Sequence, residues 1–245
     1  MKLAKLALLT LTSLVLFIGC DDDPGEGQLR VNFEMTQDGT PINLNEDYTG
    51  DQITAMRVEK LKYYLSDIKL LGANEALKSV EVVDFETGRT SFTFNDVQEG
   101  TYSGFSYRLG LSAEQNGSDP LDYETGHPLS ASWGLYWSWA TKYRFILMEG
   151  RGAEDGALDG QGDDFIISMH PGADEFGQAV SFSRSIEIVE GEIRTLTIQI
   201  DVDDMFDGPG GLVDLPTENQ THTTPSDRDI ALKFIQNFAA AMTLK

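Results

Sequence analysis

The chain has 245 residues, 40% apolar and 10% aromatic, enough to bury one large core or two small ones. Its 18 Lys+Arg against 40 Asp+Glu give a net charge of −22, which argues against nucleic acid and against docking on an anionic bilayer, since both need clustered cations. The single cysteine, Cys20, excludes a disulfide framework, a four-cysteine zinc site and an iron–sulfur cluster within one chain.

Residues 1–19 have the layout of a secretory signal: Lys2 and Lys5, then an apolar run from Leu6 to Ile18. The end of that run, Leu16-Phe17-Ile18-Gly19-Cys20, resembles the lipobox of bacterial lipoproteins, which implies cleavage before Cys20 and lipidation there. Loss of the two lysines takes the net charge from −22 to −24. The expected location is the cell envelope, lipid-anchored in the outer membrane, facing the periplasm or the cell surface. Residues 20–27, acidic and rich in turn formers, read as a tether. Cys20→Ala is expected to leave the protein unlipidated and released from membranes; partition into detergent like the wild type would overturn the lipobox reading.

From residue 28 onward, short β-forming runs alternate with turn clusters. Leu29, Val31, Phe33 and Met35 share one face of a period-two run. Met56–Leu71 reads as a strand, a kink and a second strand. Val80–Phe85 and Thr101–Leu111 follow, the latter with Gly104 and Gly110 as candidate bulges. Leu135–Met148, Phe165–His170, Val180–Val189 and Ile193–Val202 complete the series, the last two joined by Glu190-Gly191-Glu192. Many short strands without helical crossovers predict an all-β, Greek-key-like β-sandwich in one domain, 28–245. At the end the period changes: Ile230, Phe234, Phe238 and Met242 recur every four residues behind Ser226-x-x-Asp229. That pattern predicts a capped C-terminal amphipathic helix over about 226–242.

Three features could carry chemistry. His127, His170 and His222 lie 43 and 52 residues apart, so no local metal motif exists. Yet His127 sits in a turn, His170 ends a strand and His222 lies in a polar run ahead of the terminal helix, the loop and strand-end positions where β-scaffolds build sites. Three neutral imidazoles suit copper or zinc. All three tryptophans fall within Trp133–Trp139, as a packing cluster or as a stacking platform for sugars. The acidic run Asp155–Asp164 is a calcium candidate, with a solvated loop as the ordinary alternative. No nucleophile elbow, phosphate loop or activated cysteine is present.

Taken as an ordered series, these segments resemble the MbnP-like family, the methanobactin-associated copper proteins related to the MopE/CorA group. The resemblance runs through Tyr63-Tyr64-Leu65-Ser66-Asp67-Ile68, Gly100-Thr101-Tyr102 and Arg108-Leu109-Gly110. It continues through His127-Pro128-Leu129, Tyr136-Trp137-Ser138-Trp139, Tyr143-Arg144-Phe145 and Glu149-Gly150, then His170, Asp201–Phe206, His222 and Asn237-Phe238. Two positions depart from the family pattern: Pro171 stands between His170 and Gly172, and Lys142 stands where the family commonly has glycine. The resemblance implies a copper site, Cu(I) or Cu(II) with zinc as substitute, made by His127, His170 and His222. It also implies a tryptophan, Trp139 or Trp137, oxidised by a di-haem partner of the MauG-like type. In this reading the chain is not itself an enzyme. The alternative is a cell-surface binding module for glycan or protein, using the tryptophan cluster.

Overall fold

The computed structural model describes residues 25–138 and 141–245; the signal segment, Cys20 and Trp139 lie outside the described residues. In chain order the strands are β1 (Glu26–Gln37), β2 (Thr40–Pro41), β3 (Asp47–Tyr48), β4 (Ala55–Leu71), β5 (Lys78–Asp84), β6 (Ser91–Gln98) and β7 (Gly100–Leu109). A one-turn helix α1 (Ala113–Gly117) precedes the two-residue strands β8 (Tyr136–Trp137) and β9 (Lys142–Tyr143). Then come β10 (Ile146–Ala153), β11 (Phe165–Met169), β12 (Gln178–Ile188), β13 (Ile193–Asp201), β14 (Gln220–Thr221), helix α2 (Arg228–Ala240) and β15 (Met242–Leu244).

Two sheets form the expected β-sandwich. One runs β15-β13-β1-β2 with β6 also on β1; the other runs β12-β7-β4-β10-β11-β14 with β3 and β5 also on β4. The alternation in β1 buries Leu29, Val31, Phe33 and Met35. Phe33 then meets Tyr63 of β4 and Tyr107 of β7 edge-on, at ring-centre distances of 6.0 and 6.3 Å, so one aromatic seam ties the sheets together. The connection Glu190–Glu192 does not make a hairpin. β12 pairs with β7 in the larger sheet, while β13 crosses to the smaller one and lies parallel to β1, with Gln28 opposite Ile193.

Several details differ from the sequence expectations. The kink in 56–71 is a bulge between Ser66 and Lys69 inside one long strand, where Asp67 takes φ +50°. Gly104 and Gly110 are not the bulges. Gly104 lets β12 pass close, since a Cβ there would sit 2.1 Å from the Phe182 carbonyl oxygen. Gly110, at φ +98°, turns the chain beside Phe145. β6 was not expected, although Phe92, Phe94 and the turn before it carry the signal. Helix α2 is shorter than 226–242, because Met242 already belongs to β15 and pairs with Ile200. Ser226 does not cap the helix; its hydroxyl lies 3.0 Å from that of Thr224, and Asp227 takes the cap position. Among the described residues no helix is long and apolar enough to cross a membrane.

Candidate metal centre

His170 and His222 are delivered by adjacent strands. β11 runs antiparallel to β10, with Ser168 opposite Glu149, and parallel to β14, with Met169 opposite Thr221. The ladder extends one step further, where the His170 N–H donates to the Thr221 carbonyl at 3.0 Å. Parallel neighbours hold equivalent positions side by side, so the residues just past both strands start together. The Thr223 hydroxyl locks the arrangement: it donates to the His170 carbonyl at 3.2 Å and accepts from the Gly172 N–H at 3.0 Å. The His222 N–H donates to Asp227 Oδ2 at 3.2 Å, and Thr221 Oγ1 donates to the Asp227 carbonyl at 3.0 Å. Pro171 does not disturb this end, since its carbonyl accepts from the Phe145 N–H at 2.7 Å.

A hairpin closes over the pair. Trp137 of β8 lies opposite Lys142 of β9, and Lys142 takes φ +68°. That left-handed conformation favours glycine, which gives a physical reason for a glycine at this position and a local strain of about 1–2 kcal/mol for lysine. The Trp137 ring centre is 5.2 Å from that of His170, edge to face, and 5.3 Å from that of His222, nearly parallel at 18°. The two imidazole centres are 5.2 Å apart and steeply inclined. Above Trp137 lies Arg144, its guanidinium carbon 4.3 Å from the ring centre, a cation–π contact. Arg144 also donates from Nη2 to the Gly134 carbonyl, while its buried Nε finds no hydrogen-bond partner among the described residues.

His170 is 3% exposed. Its Nε2 is 3.1 Å from Glu149 Oε1, and Glu149 Oε2 is 2.8 Å from Lys60 Nζ. Its Nδ1 is buried and has no hydrogen-bond partner among the described residues. Burial, helped by the nearby positive charge of Arg144 and opposed by Glu149, pushes the His170 pKa down to about 4. Burial works to raise Glu149, but Lys60 and His170 outweigh it and hold the carboxyl below its ordinary value. The site therefore offers, at neutral pH, an uncharged imidazole with a buried, unpartnered ring nitrogen beside a second imidazole. That is the chemistry of a borderline-soft cation site.

His127 stands elsewhere. It is exposed, stacked on Tyr123 at 4.3 Å, and its Nδ1 accepts from the Leu129 N–H at 3.1 Å. The three imidazoles do not present nitrogens all within 4.8 Å of one another. The turn is nevertheless pinned to the segment that carries Arg144, through Tyr143 Oη to the Leu129 carbonyl at 2.8 Å, and to β4, through Tyr64 Oη to the Pro128 carbonyl at 3.2 Å. Trp133 serves that turn, donating to the His127 carbonyl at 2.9 Å, with Arg89 over its ring. Among the described residues the one set of three acidic or histidine ligand atoms that does converge is Asp155, Asp163 and Asp164. Asp163 accepts from the Glu154 N–H at 2.7 Å and Asp155 from the Ala157 N–H at 3.0 Å, while Asp164 Oδ1 is buried and has no hydrogen-bond partner among the described residues.

Sequence reasoning missed Glu149, Arg144 and Lys60 as site residues. Glu149 and Arg144 sit inside segments already singled out, but only the β10–β11 register brings Glu149 to His170, 21 residues away.

The MbnP family model matches residues 26–224, which include His127, His170 and His222. The chain belongs to the MbnP family. The family is associated with copper handling. A solved structure, MbnP from Methylosinus trichosporium, is similar over 84% of this chain and 93% of that one, at 14% identity and a TM-score of 0.46. At that distance the likeness assigns no residue. Comparison with curated proteins finds no match.

Proposed function

We propose that this MbnP protein binds copper at the His170–His222 pair beside Trp137, for uptake or handling of the metal at the cell envelope. The observation that carries the reading is the three-ring cluster, with every centre-to-centre distance at 5.2–5.3 Å, around an imidazole whose buried Nδ1 is unused. An unpaired buried nitrogen is costly unless something else occupies it, and neutral imidazole suits copper. His127 is the third ligand in this reading. Its place in the set rests on the family resemblance, since in this structure its Nδ1 accepts from the Leu129 N–H and its ring is stacked on Tyr123. The metal supplies the binding chemistry; the chain supplies neutral ligands and a wall of aromatic rings and is not itself an enzyme.

The remaining parts of the proposal follow from family resemblance. The chain is a lipoprotein anchored through Cys20, and a di-haem partner of the MauG-like type oxidises one tryptophan. Trp137 is the candidate that touches both histidines; Trp139 lies outside the described residues. Its contacts with His222 and Arg144 also leave Trp137 poorly suited to be an open sugar platform.

Copper titration of the protein and its single variants tests the site. His170→Ala and His222→Ala should each weaken binding by more than about 100-fold, above the 10–100-fold typical of residues one step removed from a metal. His127→Ala should weaken it as well; unchanged affinity there would confine the site to the pair. Wild-type affinity in both His170→Ala and His222→Ala would overturn the proposal.

A further inference from the structure

Resting on that copper reading, we infer that Glu149 is a positioning residue that selects the tautomer of His170 and makes Nδ1 its metal-binding atom. Three observations lead there. First, the neutral imidazole has one N–H and one lone pair, and which nitrogen carries the proton is set by the partner at the other. Glu149 Oε1 lies 3.1 Å from Nε2, and a carboxylate can only accept, so Nε2 carries the proton. The Ser168 hydroxyl is the competing neighbour of Nε2, but at 3.5 Å it is at the edge of hydrogen-bonding distance.

Second, Glu149 is itself oriented. Lys60 Nζ holds Oε2 at 2.8 Å from the neighbouring strand β4, where Lys60 is the ladder partner of Glu149. With Oε2 fixed by Lys60, Oε1 is the oxygen left to face His170. The register shifts at this point: Glu149 lies opposite Lys60 but Gly150 lies opposite Val58, so the extra residue, Glu59, bulges from β4 beside the carboxylate.

Third, the nitrogen that this arrangement leaves with a lone pair is the buried one without a partner, Nδ1. A donor nearby would have satisfied it in a purely structural histidine, and buried polar atoms are nearly always satisfied. The chain Lys60–Glu149–His170 thus has its one open end at Nδ1, on a ring packed against Trp137 and His222. Metal-binding histidines commonly donate their second nitrogen to a carboxylate in this way. Here the register of β4, β10 and β11 supplies that carboxylate.

The test uses protein labelled with 15N at histidine, first metal-free and then loaded with Cu(I), which is diamagnetic. In the metal-free wild type, long-range proton–nitrogen correlation should show His170 as the Nε2–H tautomer. Addition of Cu(I) should move the Nδ1 resonance and leave Nε2 protonated. Glu149→Leu should yield a mixture of tautomers and weaken Cu(I) binding by about 10–100-fold. Glu149→Gln, which keeps an acceptor oxygen, should restore the tautomer and return the affinity to within a few-fold of wild type. A metal-free His170 protonated at Nδ1, or a Cu(I)-induced shift at Nε2, would overturn the inference. So would a Glu149→Leu variant with wild-type tautomer and affinity. A wild type that binds no Cu(I) would sink the copper reading, and the metal-free spectra of the same three proteins would still decide what Glu149 does.

Discussion

Phe238→Ala is expected to destabilise the whole domain by about 3–5 kcal/mol, the usual cost of emptying a fully buried aromatic site. Phe238 is 0% exposed on the inner face of α2. Its ring meets Tyr63 of β4 at 5.3 Å and Phe234 at 5.9 Å, and Tyr63 in turn meets Phe33 of β1. The helix is therefore packed into the same aromatic seam that joins the two sheets. Its neighbour Asn237, also fully buried, staples the preceding loop: Oδ1 accepts from the Gly210 N–H at 2.7 Å and Nδ2 donates to the Gly211 carbonyl at 2.8 Å. Urea unfolding followed by fluorescence and by circular dichroism should give one transition shifted to lower urea in Phe238→Ala. Phe238→Leu, which keeps most of the volume, should cost less than about 1.5 kcal/mol. A helix that melts first, in a separate transition with the sheets unaffected, would show that α2 is an appendage. The question matters because the family match stops at residue 224, before the helix begins.

Legibility in the sequence follows the range of the interaction. The alternation of β1 and the four-residue period of α2 are local, and both were readable: one face of each is buried as the pattern requires. The histidines were readable as candidates by position, each at a loop or strand-end position. Their grouping was not, because it depends on β14 lying parallel to β11, a pairing of two residues that no periodicity announces. Lys142 shows the reverse case. The residue looked like a departure from pattern, and the backbone explains it, since the hairpin that carries Trp137 needs a positive φ there. The helix starts later than its Ser226-x-x-Asp229 pattern predicts because Ser226 and Thr224 satisfy each other, leaving Asp227 to hold the N–H of His222 as well as to begin the helix. A residue engaged by the site thus displaced the local capping rule.

Metal-free protein is expected to lose about 3 kcal/mol of stability between pH 6.5 and pH 4 through His170 alone. The folded-state pKa is about 4, against an ordinary value of 6.5, because the ring is buried and faces the positive charge of Arg144. Between those values the unfolded chain binds a proton that the folded chain does not, so acid favours unfolding in that window. At about 1.4 kcal/mol per pH unit, the gap of some two and a half units sets the size of the effect. Above pH 6.5 both states are neutral at this residue and the contribution is flat. Below pH 4 both are protonated and the loss is complete. Glu149 adds to the loss at the acid end, because its folded pKa is held below the ordinary carboxylate value by Lys60 and His170. Lowering the pH also removes negative charge from a chain at −22, which relieves self-repulsion and works the other way. The His170→Phe variant separates the two effects, since it keeps that surface charge and cannot titrate at the site. Stability measured by urea unfolding across the window should fall about 3 kcal/mol further in the wild type than in His170→Phe. Parallel curves would mean that His170 gains its proton in the folded protein as easily as in the unfolded chain, and the dry, uncharged imidazole on which the copper reading stands would be lost with it.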